Sequence, residues 1–128
     1  MKLLLDTHVW LWWNTEPERL APGTRRQIEN PRNAVFLSAA SVWEMAIKRA
    51  LGRLSLPEPV ALYVARRLES DSVASLAVTA GHAAGVETLE PLHGDPFDRL
   101  LIAQAIVEDI PIVSADPAFD PYPIRRIW

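Results

Sequence analysis

Apolar residues fall along this chain in short unbroken blocks, with prolines and charged or hydroxyl residues between them. Leu3-Leu4-Leu5 has no polar alternation, which predicts a strand buried on both faces. Thr7 to Trp13 reads as a short helix. A second helix starts at Pro22, a residue suited to the first turn, and runs through about Glu29. Ala34 to Leu37 is a second strand, and Ser38 or Ser41 caps a long helix that ends near Gly52. Pro57-Glu58-Pro59 opens a fourth helix, to about Ser70, and Val73 to Val78 contains a third strand. Thr79 caps a short helix from Ala80 to about Glu87. Asp95 caps an apolar helix with Pro96 in its first turn, ending near Asp109. Pro111 to Ser114 is a fourth strand, and Ile124 to Ile127 a fifth, at an edge.

Short apolar strands alternating with helices predict an α/β fold. The expected architecture is a short parallel sheet of four to five strands with helices on both faces. In such sheets, sites form beyond the carboxyl ends of the strands. Four acids stand at those ends: Asp6 and Asp116 just after the first and fourth strands, Glu44 early in the helix after the second strand, and Asp98 in the first turn of the helix before the fourth. Each has apolar neighbours, and burying an unpaired carboxylate is costly. If the fold gathers them, their charge calls for a cation. Mg²⁺ or Mn²⁺ is the natural candidate because it prefers oxygen ligands. Carboxylates around such ions leave positions open for water and phosphate oxygens, which suits phosphodiester hydrolysis by metal-activated water.

Each acid also has a local alternative. Asp6 can cap the helix that follows it, and Ser41-x-x-Glu44 fits a capping box. Asp98 favours a helix dipole, and Asp116 before Pro117 is a common turn. Shared placement at one end of the sheet, rather than local spacing, favours the site.

Composition narrows the classes. The 128 residues favour one domain, residues 1–128, and 49% are hydrophobic. No cysteine is present, which excludes disulfides, thiolate zinc sites and cysteine nucleophiles. Asp6 and His8 interrupt the apolar start, so no signal peptide is expected. The apolar stretch from Leu100 to Val107 is too short to span a bilayer. We therefore expect a soluble, cytoplasmic protein. The net charge of −3 argues weakly against nucleic-acid binding, unless phosphate is held through metal ions at an acidic centre with basic residues on the rim. Rival phosphate chemistries fit less well. His8 stands where a haloacid-dehalogenase-type phosphatase needs a second Asp, and the only lysines, Lys2 and Lys48, do not supply a receiver domain's late Lys. No glycine-rich phosphate loop or nucleophile elbow is present.

Four segments resemble the PIN-domain nucleases, and more narrowly the VapC-type toxins of bacterial toxin–antitoxin pairs. Leu3-Leu-Leu-Asp-Thr-His-Val-Trp-Leu-Trp12 resembles the family's opening strand and first acid. Leu37-Ser-Ala-Ala-Ser-Val-Trp-Glu-Met-Ala-Ile-Lys48, His93-Gly-Asp-Pro-Phe-Asp-Arg-Leu-Leu-Ile-Ala-Gln104 and Val113-Ser-Ala-Asp-Pro-Ala-Phe119 resemble the second, third and fourth. The resemblance runs nearly end to end and keeps the family's order. It implies a Mg²⁺- or Mn²⁺-dependent endoribonuclease with Asp6, Glu44, Asp98 and Asp116 as catalytic and metal-binding quartet. Thr7 and Ser114 would support them. It also implies an RNA substrate, a cognate antitoxin and a toxin homodimer. The Phe97-Asp98-Arg99 context resembles the subgroup paired with Phd/YefM-like antitoxins. The alternatives are a metal-dependent DNase or 5′ nuclease, or a non-catalytic protein-binding module of the same fold.

Around the quartet, Arg99 is the expected phosphate contact, because it follows Asp98 directly and Arg binds phosphate in a bidentate way. Of Trp10, Trp12 and Trp13, at least one should face a groove or partner. The histidines show no metal-ligand spacing, and His8 is the only one expected near the site.

Overall fold

A computed structural model describes residues 1–128. The strands are β1 (Lys2–Leu5), β2 (Ala34–Ser38), β3 (Ala74–Leu76), β4 (Ile112–Val113) and β5 (Arg126–Ile127). The helices are α1 (Thr7–Thr15), α2 (Pro22–Glu29), α3 (Ala39–Ala50), α4 (Val60–Asp71), α5 (Ala80–Gly85) and α6 (Pro96–Glu108), with single 3₁₀ turns at Pro17–Arg19, Val86–Thr88 and Pro117–Phe119. All strand pairs are parallel, in the order β3-β2-β1-β4-β5. The chain therefore builds outward from β1 to β3, returns, and builds the other way through β4 and β5. The reversal lies between β1 and β4, where α/β sheets open a crevice.

The leucine block of β1 explains its central position. Leu3 and Leu5 point into one apolar cluster with Val9, Trp10, Leu37 and Met45, while Leu4 points into a second with Leu101, Ile102, Ile112 and Phe119. All three leucines are fully buried, as alternation across a strand covered on both faces requires. Register then fixes the rim: Leu5 lies level with Leu37 on β2 and with Val113 on β4. The residues that follow, Asp6, Ser38 and Ser114, begin the same edge.

One element departs from the sequence expectation at its start. Helix α4 begins at Val60 rather than at Pro57, with Pro59 at its N-cap. The residue before a proline is pushed out of the helical region, so Glu58 cannot join the helix. After α3, Gly52 takes a left-handed conformation (φ 72°), the C-terminal turn glycine allows at least cost. No helix is long and apolar enough to cross a membrane.

Candidate metal and catalytic site

Asp6 leaves β1 at the N-cap position of α1, yet its carboxylate makes no capping bond. Instead Asp6 Oδ2 accepts from Ser114 Oγ at 2.8 Å, and Ser114 Oγ accepts the backbone N–H of Asp116 at 3.0 Å. One hydroxyl thus ties the ends of β1 and β4 together. The Thr7 hydroxyl does not reach a carboxylate: its Oγ1 donates to Ser41 Oγ at 2.8 Å, pinning the start of α1 to α3.

The local alternatives separate cleanly. Ser38, not Ser41, caps α3 by accepting from Ala40 N at 3.0 Å, so no capping box forms around Glu44. Glu44 is 3% exposed and pairs through Oε2 with Lys48 Nζ at 2.6 Å, one turn along the helix. Asp95 caps α6, accepting from Phe97 N and Asp98 N at 2.9 and 3.0 Å. That leaves the Asp98 side chain free of capping, and its Oδ2 lies 2.7 Å from His93 Nε2. Asp116 does serve its turn, with Oδ1 accepting from Ala118 N at 2.9 Å.

Asp6, Glu44, Asp98 and Asp116 line one cleft of about 400 Å³, together with His8, His93 and Lys48. One ligand atom each from His93, Asp98 and Asp116 lie within 4.8 Å of one another. Asp6 and Glu44 border the same space from the β1 and α3 side. Burial pushes the Asp6 carboxyl above the usual range and Glu44 pushes it further, while the Ser114 hydroxyl and His8 act against this. Asp98 is pushed up to about 6, chiefly by burial, with the His93 hydrogen bond opposing and Asp6 and Asp95 adding repulsion. Desolvated carboxylates that repel one another, and that have fewer cations than charges, disfavour their ionised form. An oxygen-rich donor set of this kind suits a hard divalent cation, with Asp6, Glu44, Asp98, Asp116 and His93 as the groups able to hold it.

The sequence model of the PIN domain family matches residues 3–124. The chain belongs to the PIN domain family. It is 33% identical over 115 residues to Ribonuclease VapC22 of Mycobacterium tuberculosis, covering 89% of this chain and 86% of that protein. It is 44% identical over 61 residues to Ribonuclease VapC16 of the same organism, covering 48% and 43%. Among solved structures, it resembles a chain of DNA-bound VapBC from Salmonella typhimurium with a TM-score of 0.74 at 17% identity, covering 99% of this chain and 97% of that one. It resembles VapBC2 from Rickettsia felis bound to a promoter DNA fragment with a TM-score of 0.73 at 15% identity, covering 99% and 98%. At these identities the structural likeness speaks for the PIN fold alone.

Within this PIN domain, two expectations are corrected. Arg99 does not line the cleft. Its guanidinium donates to the carbonyls of Val86, Leu89, Glu90 and His93 and to Tyr122 Oη, at 2.9 to 3.4 Å. This geometry makes Arg99 a clasp for the segment before α6 rather than a phosphate contact. His8 is also not alone near the site, because His93 lies in the cleft against Asp98. The signal was present in His93-Gly94-Asp95-Pro96: a cap, a proline and a glycine turn the chain back, so residues before the cap lie over the first turn of α6. Trp12 borders the cleft, with the Arg19 guanidinium 4.3 Å above its ring. Trp10 is fully buried, and Trp13 Nε1 donates to Glu29. Trp43 is 58% exposed and packs edge-on against Phe97.

Proposed function

We propose that residues 1–128 act as a single PIN domain, a divalent-metal-dependent endoribonuclease that serves as the toxin of a toxin–antitoxin pair. The observation that carries the reading is the convergence of Asp6, Glu44, Asp98 and Asp116, from four separate elements, on one cleft at the switch point of the sheet. The PIN family match and the relatives named as ribonucleases support RNA as the substrate. The likeness to chains of VapBC assemblies supports an antitoxin partner. A homodimer and a cytoplasmic location complete the proposal.

Mg²⁺ or Mn²⁺, when bound, supplies a water of lowered pKa and a Lewis acid for the phosphodiester. Asp6, Glu44, Asp98 and Asp116 are the residues that would hold the cation. Ser114 fixes the Asp6 carboxylate, and Lys48 limits the negative charge that an incoming phosphate meets at Glu44. The apolar floor beneath β1 keeps Asp6 desolvated, so its charge acts through a poorly screened path.

The test compares matched single-stranded RNA and DNA with Mg²⁺, with Mn²⁺ and with chelator. RNA cleavage that requires metal and is lost in Asp6→Asn is expected. Equal cleavage of DNA would move the assignment to a DNase. Growth inhibition on expression that persists in both Asp6→Asn and Asp98→Asn would remove catalysis as the function. Millimolar metal at a hundredfold excess over Kd should also stabilise the fold by about 2.7 kcal/mol, read as a rise in melting temperature.

A further inference from the structure

We propose that His93 is a direct ligand of the divalent ion in this cleft, beside Asp98 and Asp116, and that its imidazole tilts the site from Mg²⁺ toward Mn²⁺. The inference rests on the metal-dependent reading above and adds a nitrogen donor to the acidic quartet.

Ligands at about 2.1 Å from an octahedral ion lie ~3 Å apart when adjacent and ~4.2 Å apart when opposite. His93 Nε2 and Asp98 Oδ2 are 2.7 Å apart as a hydrogen bond, close to the spacing of an adjacent ligand pair; ligation would replace that bond, the neutral ring carrying its one proton on Nδ1 and leaving the Nε2 lone pair for the ion. The ligand atoms of His93, Asp98 and Asp116 all fall within 4.8 Å of one another, so small side-chain adjustments would bring them onto one ion. A histidine that only oriented Asp98 would stand behind that carboxylate, away from Asp116. His93 instead lines the same cleft as both.

The fold also fixes this residue from several sides. The backbone N–H of His93 donates to Tyr122 Oη at 3.0 Å, and its carbonyl accepts from Arg99 Nη1 at 3.3 Å. Tyr122 Oη in turn donates to Glu90 O at 2.9 Å. The His93 ring packs edge-on to Phe119 at 6.3 Å between centroids. Arg99 and Tyr122 thus hold the stretch between the Val86–Thr88 turn and α6 so that the His93 side chain meets Asp98. A loop that merely connected α5 to α6 would not need both clasps. His8, the other histidine of the cleft, packs on Trp12 and lies outside the ligand cluster.

The consequence is a metal preference. Mg²⁺ favours oxygen ligands and dehydrates reluctantly, whereas first-row transition cations accept imidazole nitrogen more readily. Calorimetric titration of Mn²⁺ and of Mg²⁺ into the wild type, His93→Gln and His8→Gln reads the affinities. Pulsed electron paramagnetic resonance of the Mn²⁺-loaded proteins reads any nitrogen bound to the ion. Imidazole nitrogen coupling is expected in the wild type and in His8→Gln, and absent in His93→Gln. His93→Gln should weaken Mn²⁺ binding by roughly tenfold or more and Mg²⁺ binding much less. The wild-type spectrum stands without any variant, and Tyr122→Phe, which loosens His93 without removing it, should give an intermediate loss of Mn²⁺ affinity. Mn²⁺ that binds the wild type and is lost in Asp98→Asn, but shows no nitrogen coupling, would overturn His93 ligation and leave the metal-dependent reading intact. Coupling that survives in His93→Gln would overturn it too. A wild type that binds neither cation would overturn both readings.

Discussion

Asp98 and Gln104 stand on the same helix, less than two turns apart, yet their surroundings are satisfied to opposite degrees. Gln104 is fully buried, and each end of its amide has a partner. Its Oε1 accepts from Ser38 Oγ at 2.5 Å and its Nε2 donates to Ala77 O at 3.3 Å. Beside it, His82 Nδ1 accepts the backbone N–H of Thr79, Thr79 Oγ1 accepts that of His82, and His82 Nε2 donates to Glu108 at 2.8 Å. A histidine here completes the reciprocal capping that Glu or Gln usually provides. Around Asp98 the inventory runs the other way: carboxylates exceed donors, and burial works against their charge. One polar cluster is closed and fixes how α5, α6 and β2 meet. The other is left open, and its unmet charge is an affinity for something that arrives from outside.

The largest effect should come from making the open cluster resemble the closed one. Asp98→Asn removes a repelling charge while keeping an acceptor for His93. RNA cleavage should fall at least about a hundredfold, since even groups that only support metal ligands cost 10–100-fold when lost. The melting temperature in chelator should rise. A variant that is both inactive and less stable without metal would mean the carboxylates are not in mutual repulsion.

Next is the clasp. Arg99→Ala leaves the carbonyls of Val86, Leu89, Glu90 and His93 without their charged donor. We expect a loss on the order of 3 kcal/mol in chemical denaturation, the scale of one or two hydrogen bonds to a charged group. Arg99→Lys should recover little, because an ammonium cannot fork to several acceptors. A variant of unchanged stability with weakened RNA binding would return Arg99 to the phosphate. Smaller again, Gln104→Leu opens the closed cluster by removing the acceptor of the Ser38 hydroxyl proton and the side-chain donor to the Ala77 carbonyl. It should cost about 2 kcal/mol and leave the turnover of the folded enzyme near that of the wild type.

What the residues disclosed in advance follows the same division. Leu3-Leu4-Leu5 could be read as a doubly covered strand because it offers no polar face, and Asp95-Pro96 as a helix start because both act within one turn. Placing the acids after strands or near the starts of helices was enough to put them at one end of the sheet, because strand C-termini and helix N-termini share that end when the strands are parallel. Arg99 misled for a physical reason. Successive residues on a helix point about 100° apart, so adjacency to Asp98 in the chain aims Arg99 elsewhere. For His93 the Asp95-Pro96 helix start gives only a local hint, because its segment has no periodicity and its exact position depends on Tyr122, 29 residues away in the chain. Glu44 was ambiguous between two serines, and the immediate entry of β2 into α3 decides for Ser38 as the cap.

The smallest effect is the most direct measure of the open cluster. Asp98 is pushed up to about 6 from an ordinary value of 3.8, so in between the folded state holds a proton that the unfolded chain has released. Stability of the metal-free protein from this group is therefore fully present below pH 3.8 and declines as pH rises through about 6. Asp6, also raised by burial, acts in the same direction. Glu29 and Asp120 are held below the usual range by Arg25 and Arg126, and they lose stability as pH falls. Those two are unchanged in Asp98→Asn, so the difference between wild type and variant isolates the cleft. Water reaches Asp98, which reduces the effect below the roughly 2 kcal/mol of the Gln104 variant. Denaturation in chelator from pH 4 to 7 should show the wild type losing ground to Asp98→Asn as pH rises. Saturating Mg²⁺ should erase that relative loss, because a bound cation favours the ionised carboxylate. Parallel curves for the two proteins would show that Asp98 carries no strained charge, and the contrast with Gln104 would then reduce to geometry alone.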